Sequence, residues 1–234
     1  MRDGAALGRR VFREQIKEHV IAKILGGALK PGDRIVETRL ADELGVSQAP
    51  VREALRELEL LGFVESAPFR GTQVCDVSPE ELGQLYPLRA MVEAMAARAA
   101  APRISEGNLG ALDGHLNGMR TAARRGDAQA HVEADVAFHR VIVEASCSRL
   151  LKRFWDGMQL HATTFLTLAV TRRDLHELAE RHTPIVEALR ARDPDAAERA
   201  IRQHIEEPGA WVAEILRSSA LGNGTLQSDP DQKT

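Results

Sequence analysis

Four side chains able to ligate a metal stand at helical spacings in the second half of the chain. Asp135 and His139 are four residues apart, so on a helix both project from one face. Val132, Val136, Ile142 and Val143 share that face, which therefore points into a core. His182 falls on the stripe of Ile185, Val186 and Leu189, and His204 on that of Ala197, Ala200 and Ile201. Three inward histidines and one inward carboxylate on three helices can converge on a divalent cation. The same residues also describe separate buried histidines, each hydrogen-bonded locally and holding no metal. Spacing along a chain does not show convergence in space, and on the residues alone the separate-histidine reading is the commoner one.

Catalysis finds less support. A metal-dependent enzyme built on these residues would need a general base nearby, and the sequence offers none. His131-Val132-Glu133 has the His-x-Glu of zinc deaminases, but the Pro-Cys-x-x-Cys that supplies the other ligands is missing. His-Glu-x-x-His, Gly-x-Ser-x-Gly and a phosphate-cradling glycine loop are likewise missing. Arg89 interrupts the apolar row Tyr86, Leu88, Val92 and Met95. It can pair with Glu93 one turn on, the favoured reading, or clamp a carboxylate ligand through two parallel hydrogen bonds.

A second group of residues suits DNA. Ser47 is placed to cap a helix whose first turn offers Gln48, Ala49 and Arg52. Such a helix fits the major groove, where Gln suits adenine and Arg suits guanine or a phosphate. Leu55, Leu58 and Leu61 would face the core. The same pattern also fits a small three-helix module for protein contacts.

The elements positioning these residues follow from periodicity and punctuation. A first helix is expected from about 11 to 28, ended by the Pro31-Gly32 turn. A second spans 38–44, Gly45 and Val46 form a tight corner, and a third runs to Leu61. Phe63 to Glu65 and Thr72 to Val74 read as two strands around Pro68 to Gly71. Helix, helix, turn, helix and hairpin is the order of a winged helix-turn-helix, over residues 9–77. Ser78 and Pro79 then open a run of helices expected at 79–101, 105–125, 127–145, a broken 148–170, 175–192 and 194–216. Residues 78–218 thus read as an all-helical bundle. The polar stretch 219–234 reads as a disordered tail. The fold class is mainly α, and 234 residues suit two domains better than one.

Composition narrows the setting. Hydrophobic residues at 44% and charged residues at 28% allow an ordinary buried core. The net charge of −3 does not point to nucleic acid, and residues 9–77 hold 11 basic against 11 acidic side chains. Any DNA argument therefore rests on placement. No apolar run approaches the roughly 18–20 residues that span a bilayer, so no membrane association is expected. Cys75 and Cys147 stand far apart, which argues against a disulfide framework and for a reducing, cytoplasmic setting.

The ordered series Leu29-Lys30-Pro31-Gly32-Asp33-Arg34-Ile35, Leu40 to Ser47, Pro50-Val51-Arg52-Glu53-Ala54-Leu55-Arg56-Glu57-Leu58 and Arg70-Gly71-Thr72-Gln73-Val74 resembles the GntR family of bacterial regulators. Leu85 to Glu93, Asp135-Val136-Ala137-Phe138-His139, Glu180-Arg181-His182 and Gln203-His204 resemble its FadR-type subgroup with an FCD effector domain. The resemblance implies a bundle of six or seven helices holding one divalent ion through Asp135, His139, His182 and His204. Zinc is the default, with nickel and manganese as alternatives. It further implies a small carboxylate effector, with Arg89 at the family's ligand-facing arginine position. A homodimer bound to a palindromic operator, commonly as a repressor released by its ligand, completes the picture. For DNA it implies Thr38, Arg39, Ser47, Gln48, Ala49, Arg52 and Arg56, with Arg70 and Gly71 on the wing. Gln48 stands where the family commonly has Arg, and Ala49 where it often has Thr, so the operator sequence does not carry over.

Overall fold

The computed structural model describes residues 3–25, 28–67, 71–75 and 79–223. These fall into two compact units, residues 1–77 with 159–164, and residues 78–158 with 165–234.

In the first unit α1 (Asp3–Leu25) precedes α2 (Glu37–Leu44) and α3 (Gln48–Leu60). The first helix starts well before residue 11, because Ala5, Ala6 and Leu7 extend its propensity upstream. Gly45 takes the left-handed conformation at φ 64° and closes α2, its N–H bonding back to Ala41 and Asp42. Val46 N–H also bonds to Ala41, which turns the chain into α3. Ser47 sits at the N-cap as expected, but its side chain makes no capping hydrogen bond. Ile16, Val20, Leu40, Val51, Ala54, Leu55 and Leu58 form the core, whereas Leu61 is only half-buried.

The hairpin is β2 (Val64–Ala67) and β3 (Gly71–Val74), paired antiparallel with Val64 opposite Val74. A two-residue strand β1 (Arg34–Ile35) adds to the far side of β3, giving the order β1-β3-β2. Two residues are too few to show period-2 alternation, so sequence reading missed it.

The second unit is helical throughout its described residues. It contains α4 (Pro79–Ala100), α5 (Glu106–Arg125), α6 (Ala128–Ala145), α7 (Arg149–Asp156), the part of α8 (Leu160–Thr171) from residue 165 on, α9 (Leu175–Glu180), α10 (Thr183–Arg190) and α11 (Pro194–Asn223). Side-chain caps fix several boundaries: Ser105 Oγ accepts from Asn108 N–H at 3.1 Å, and Asp127 Oδ1 from Ala130 N–H at 2.9 Å. The expected six or seven helices appear as eight segments because the arm 175–192 is broken at Arg181 and His182. Pro184 favours the break: it lacks an N–H, its ring opposes the carbonyl four residues earlier, and it sits in the first turn of α10. At the other end α11 continues to Asn223, so residues 219–223 are helical rather than a disordered tail, and residues 224–234 lie outside the described residues.

Helix α4 is the organiser, packing on α6, α7 and α11. Its contact with α11 depends on Gly209, where an added Cβ would lie 2.7 Å from the Cβ and Cγ of buried Tyr86. The Tyr86 hydroxyl is itself hydrogen-bonded to Thr167, so the ring has little room to retreat. Gly209→Ala should therefore destabilise the protein by about 1–3 kcal/mol through overpacking, despite a helix-propensity gain near 1 kcal/mol. Urea unfolding checks this, and unchanged or raised stability would show that α4 and α11 separate freely.

Candidate functional site

Helix α6 presents a continuous buried face containing His131, Val132, Asp135, Val136, Phe138, His139, Ile142 and Val143. The heptad-like spacing thus delivers Asp135 and His139 to the interior together. His182 arrives differently: it is the N-cap residue of α10, held at the break that Pro184 favours. His204 comes from α11. One ligand atom from each of Asp135, His139, His182 and His204 lies within 4.8 Å of the others. The His139–His204 and His182–His204 ring centroids are 5.1 and 4.3 Å apart.

The surroundings fix the orientation of these rings. His139 Nδ1 meets Glu93 Oε2 at 2.5 Å. Burial works against the Glu93 carboxylate, but Arg89 and His139 outweigh it and hold its pKa at about 2. An ionised carboxylate only accepts, so His139 donates from Nδ1, and its buried Nε2 is left without a hydrogen-bond partner. His182 Nδ1 donates to the carbonyls of Leu178 and Ala179, at 3.2 and 3.1 Å. Its Nε2 lies 3.1 Å from Asp135 Oδ1 without hydrogen-bond alignment. Burial among the other histidines pushes the His204 ring well below its ordinary pKa, keeping it neutral. Burial also opposes the Asp135 charge, yet His182, His139 and Arg89 hold that carboxyl well below the usual range.

His139 Nε2, His182 Nε2 and His204 Nδ1 are buried and have no hydrogen-bond partner among the described residues. A buried polar atom left unpaired costs about 1–3 kcal/mol, and three face one carboxylate here. A divalent cation answers all of them, and neutral imidazoles with one carboxylate suit zinc, nickel or manganese. Ring tautomers fixed by carboxylate and carbonyl acceptors are the usual outer support of such ligands.

Sequence reading singled out the four residues that the structure brings together, but not these supporting contacts. Glu93 was expected only as a partner for Arg89, and it does accept from Arg89 Nε at 2.7 Å. It also accepts from Trp155 Nε1 at 3.0 Å, besides binding His139. A carboxylate on the same inner face as Ala90, Ala94 and Ala97 was the available signal. Arg89 itself is buried, at 6% exposure, and the internal pairing is present.

In the first unit, Thr38, Arg39, Ser47, Gln48, Ala49, Arg52, Arg56 and Gly71 are all exposed, while Arg70 lies outside the described residues. Pro50, Val51, Ala54, Leu55 and Leu58 are buried behind them, so α3 separates an outer reading face from an inner packing face. Arg52 Nε is 3.9 Å from Glu37 Oε2, an exposed contact worth little. Exposed Arg34 on β1 was not singled out; its guanidinium lies beside Gly71, 3.3 Å from where a Cβ there would sit.

Residues 12–74 match the model of bacterial regulatory proteins of the gntR family, and residues 84–207 match the FCD domain. A probable D-xylose utilization operon transcriptional repressor of Paenarthrobacter nicotinovorans is 34% identical over 95% of both chains. The HTH-type transcriptional repressor RspR of Escherichia coli is 29% identical over 90% of each. The solved structure of E. coli McbR/YncC has the same fold, with a TM-score of 0.64 at 24% identity over 89% of this chain and 98% of that one. Among the described residues no helix is long and apolar enough to cross a membrane. A gntR-type head followed by an FCD domain, shared with a relative along nearly its whole length, makes this chain a member of the GntR family of bacterial transcriptional regulators, which are not enzymes.

Proposed function

We propose that the protein is a metabolite-responsive repressor of FadR type, acting in the cytoplasm. A small carboxylate bound in the helical unit controls its binding to a palindromic operator. The observation carrying this reading is the convergence of Asp135, His139, His182 and His204, with three buried ring nitrogens that lack a hydrogen-bond partner. These four residues would hold the ion, with zinc the default. When bound, the ion offers a Lewis-acidic position that a carboxylate oxygen can complete. Arg89 is the proposed second anchor: Glu93 takes the N–H on Nε, and the guanidinium carries four further donors. Relatives that include a xylose-utilization repressor and a gluconate operon repressor of Bacillus licheniformis support repression and a small metabolite. A thermal-shift screen of small acids, repeated after chelation, tests the sensor. Acids that stabilise only metal-loaded protein and release it from DNA support it, and acids without effect on either would end it.

On DNA, α3 is the proposed reader, with Gln48 and Arg52 toward bases and Thr38, Arg39, Ser47, Ala49, Arg56, Arg70 and Gly71 as flanking contacts. Arg52→Ala should cost about 1–3 kcal/mol on the preferred site, and Gln48→Arg should change which base is preferred. Selection from a random DNA pool gives the site, and mobility shift the affinities. Wild-type affinity and preference in both variants would remove α3 as the reader.

A further inference from the structure

The four ligands come from three helical segments, and something must hold α11 at the right distance from the turn carrying His182. Arg181 directly precedes His182 in the chain. Its Nη2 donates to the backbone carbonyl of His204 at 3.1 Å, and its Nη1 to Glu207 Oε2 at 2.5 Å. One guanidinium thus joins the backbone beside one ligand to the backbone of another.

The sequence makes that carbonyl available. In a regular helix the His204 carbonyl would accept from the N–H of residue 208. Residue 208 is a proline inside α11 and has no N–H to give. A half-buried carbonyl deprived of its helical partner needs another donor, and Arg181 supplies it. The fork is held in plane by further contacts. Trp211, one turn beyond Glu207, stacks on the guanidinium with Cζ 4.8 Å from the ring centroid. Arg173 covers the same ring at 3.8 Å, and Gln203 Nε2 holds Glu207 Oε1 at 2.8 Å. Arg181, Gln203, His204 and Glu207 line an open cleft of about 150 Å³. His204 is the one ligand of the four that is not fully buried, so its position depends most on what grips α11 from this side.

We propose that Arg181 is the positioning residue of the metal centre, fixing His204 relative to His182 through the carbonyl that Pro208 leaves unpaired. The inference rests on the reading of the four residues as a metal site. Outer-shell groups that orient ligands are worth about 10- to 100-fold in metal affinity, and Arg181 orients two ligands at once.

The test uses the full-length protein and zinc alone, with dissociation constants from competition against a chromophoric chelator and melting temperatures of metal-free protein. Arg181→Ala should weaken zinc about 10- to 100-fold and lower the metal-free melting temperature. Pro208→Ala added to Arg181→Ala restores an N–H to the His204 carbonyl without restoring the tie to His182. The double variant should therefore regain metal-free stability while zinc stays weak. Recovery of both would show that Arg181 only satisfies a carbonyl, and wild-type zinc affinity in the single variant would likewise overturn the proposal. If Arg181→Ala alone does not fold, the double variant decides by the same zinc constant. Wild-type protein that takes up no zinc would reject the metal centre itself, a failure distinct from wild-type and variants binding alike.

Discussion

Chelation should lower the melting temperature of the purified protein, and His182→Ala or His204→Ala should remove most of that response. An ion that binds only the folded state stabilises it by RT ln(1 + [M]/Kd). That amounts to about 2.7 kcal/mol at 100-fold saturation and about 4.1 at 1,000-fold. For a chain of this size each kcal/mol moves the midpoint by about 2–4 °C, so the lower figure alone predicts roughly 5–10 °C. The effect is expected to be large because the four residues span α6, the start of α10 and α11, and the proposed ion would tie all three. Each substitution also empties core volume, so metal-free melting points must be compared first; the informative quantity is the rise on adding zinc. His182 should show the sharper loss, since its ring is already aimed by the Leu178 and Ala179 carbonyls. If carefully prepared protein holds no metal, and neither zinc nor nickel raises its melting point, the histidines are core residues.

Helical periodicity carried most of this site because three of its four members sit within regular helices. Asp135 and His139 share a stripe with valines, and residues of one stripe share one fate. The resemblance to FCD domains then chose convergence over separate burial, which periodicity could not do. What stayed hidden depends on contacts between distant segments. Glu93 meets His139 across 46 residues and Trp155 across 62, and Arg181 meets the His204 carbonyl across 23. The break before α10 was legible in principle, since Pro184 suits the first turn of a new helix, yet the apolar stripe ran smoothly through it. Strand β1 was not legible: Arg34 and Ile35 pair with Gln73 and Thr72 only because the hairpin is already there.

Met95→Glu combined with Phe154→Glu should convert the protein to a monomer and with it abolish tight operator binding. Leu88, Met91 and Met95 lie along one side of α4, and Leu150 and Phe154 are one turn apart on α7, which packs beside α4. All five are between 49% and 61% exposed, an unusual concentration of large apolar side chains on neighbouring helices. A second copy of the chain is the occupant we propose, since the palindromic operator proposed above would need two heads at a fixed separation. In a two-fold interface every substitution counts twice. Losing a central anchor costs about 2 kcal/mol, so one such position already costs about 4 kcal/mol per dimer, roughly a thousandfold in dissociation constant. The second substitution adds to this and places carboxylates where they would be stripped of water. A single head still contacts a half-site, but it loses the effective concentration that links two heads, worth about 10²- to 10⁴-fold. Sedimentation velocity should therefore show a monomer at micromolar concentration, its helical circular dichroism retained because both side chains are exposed, while its melting temperature falls by the lost linkage to the dimer. Mobility shift on the selected operator should show weak binding that Arg52→Ala weakens further. A double variant that remains dimeric would place the interface elsewhere on the bundle; one that is monomeric yet binds the full operator as tightly as wild type would separate DNA affinity from dimerisation.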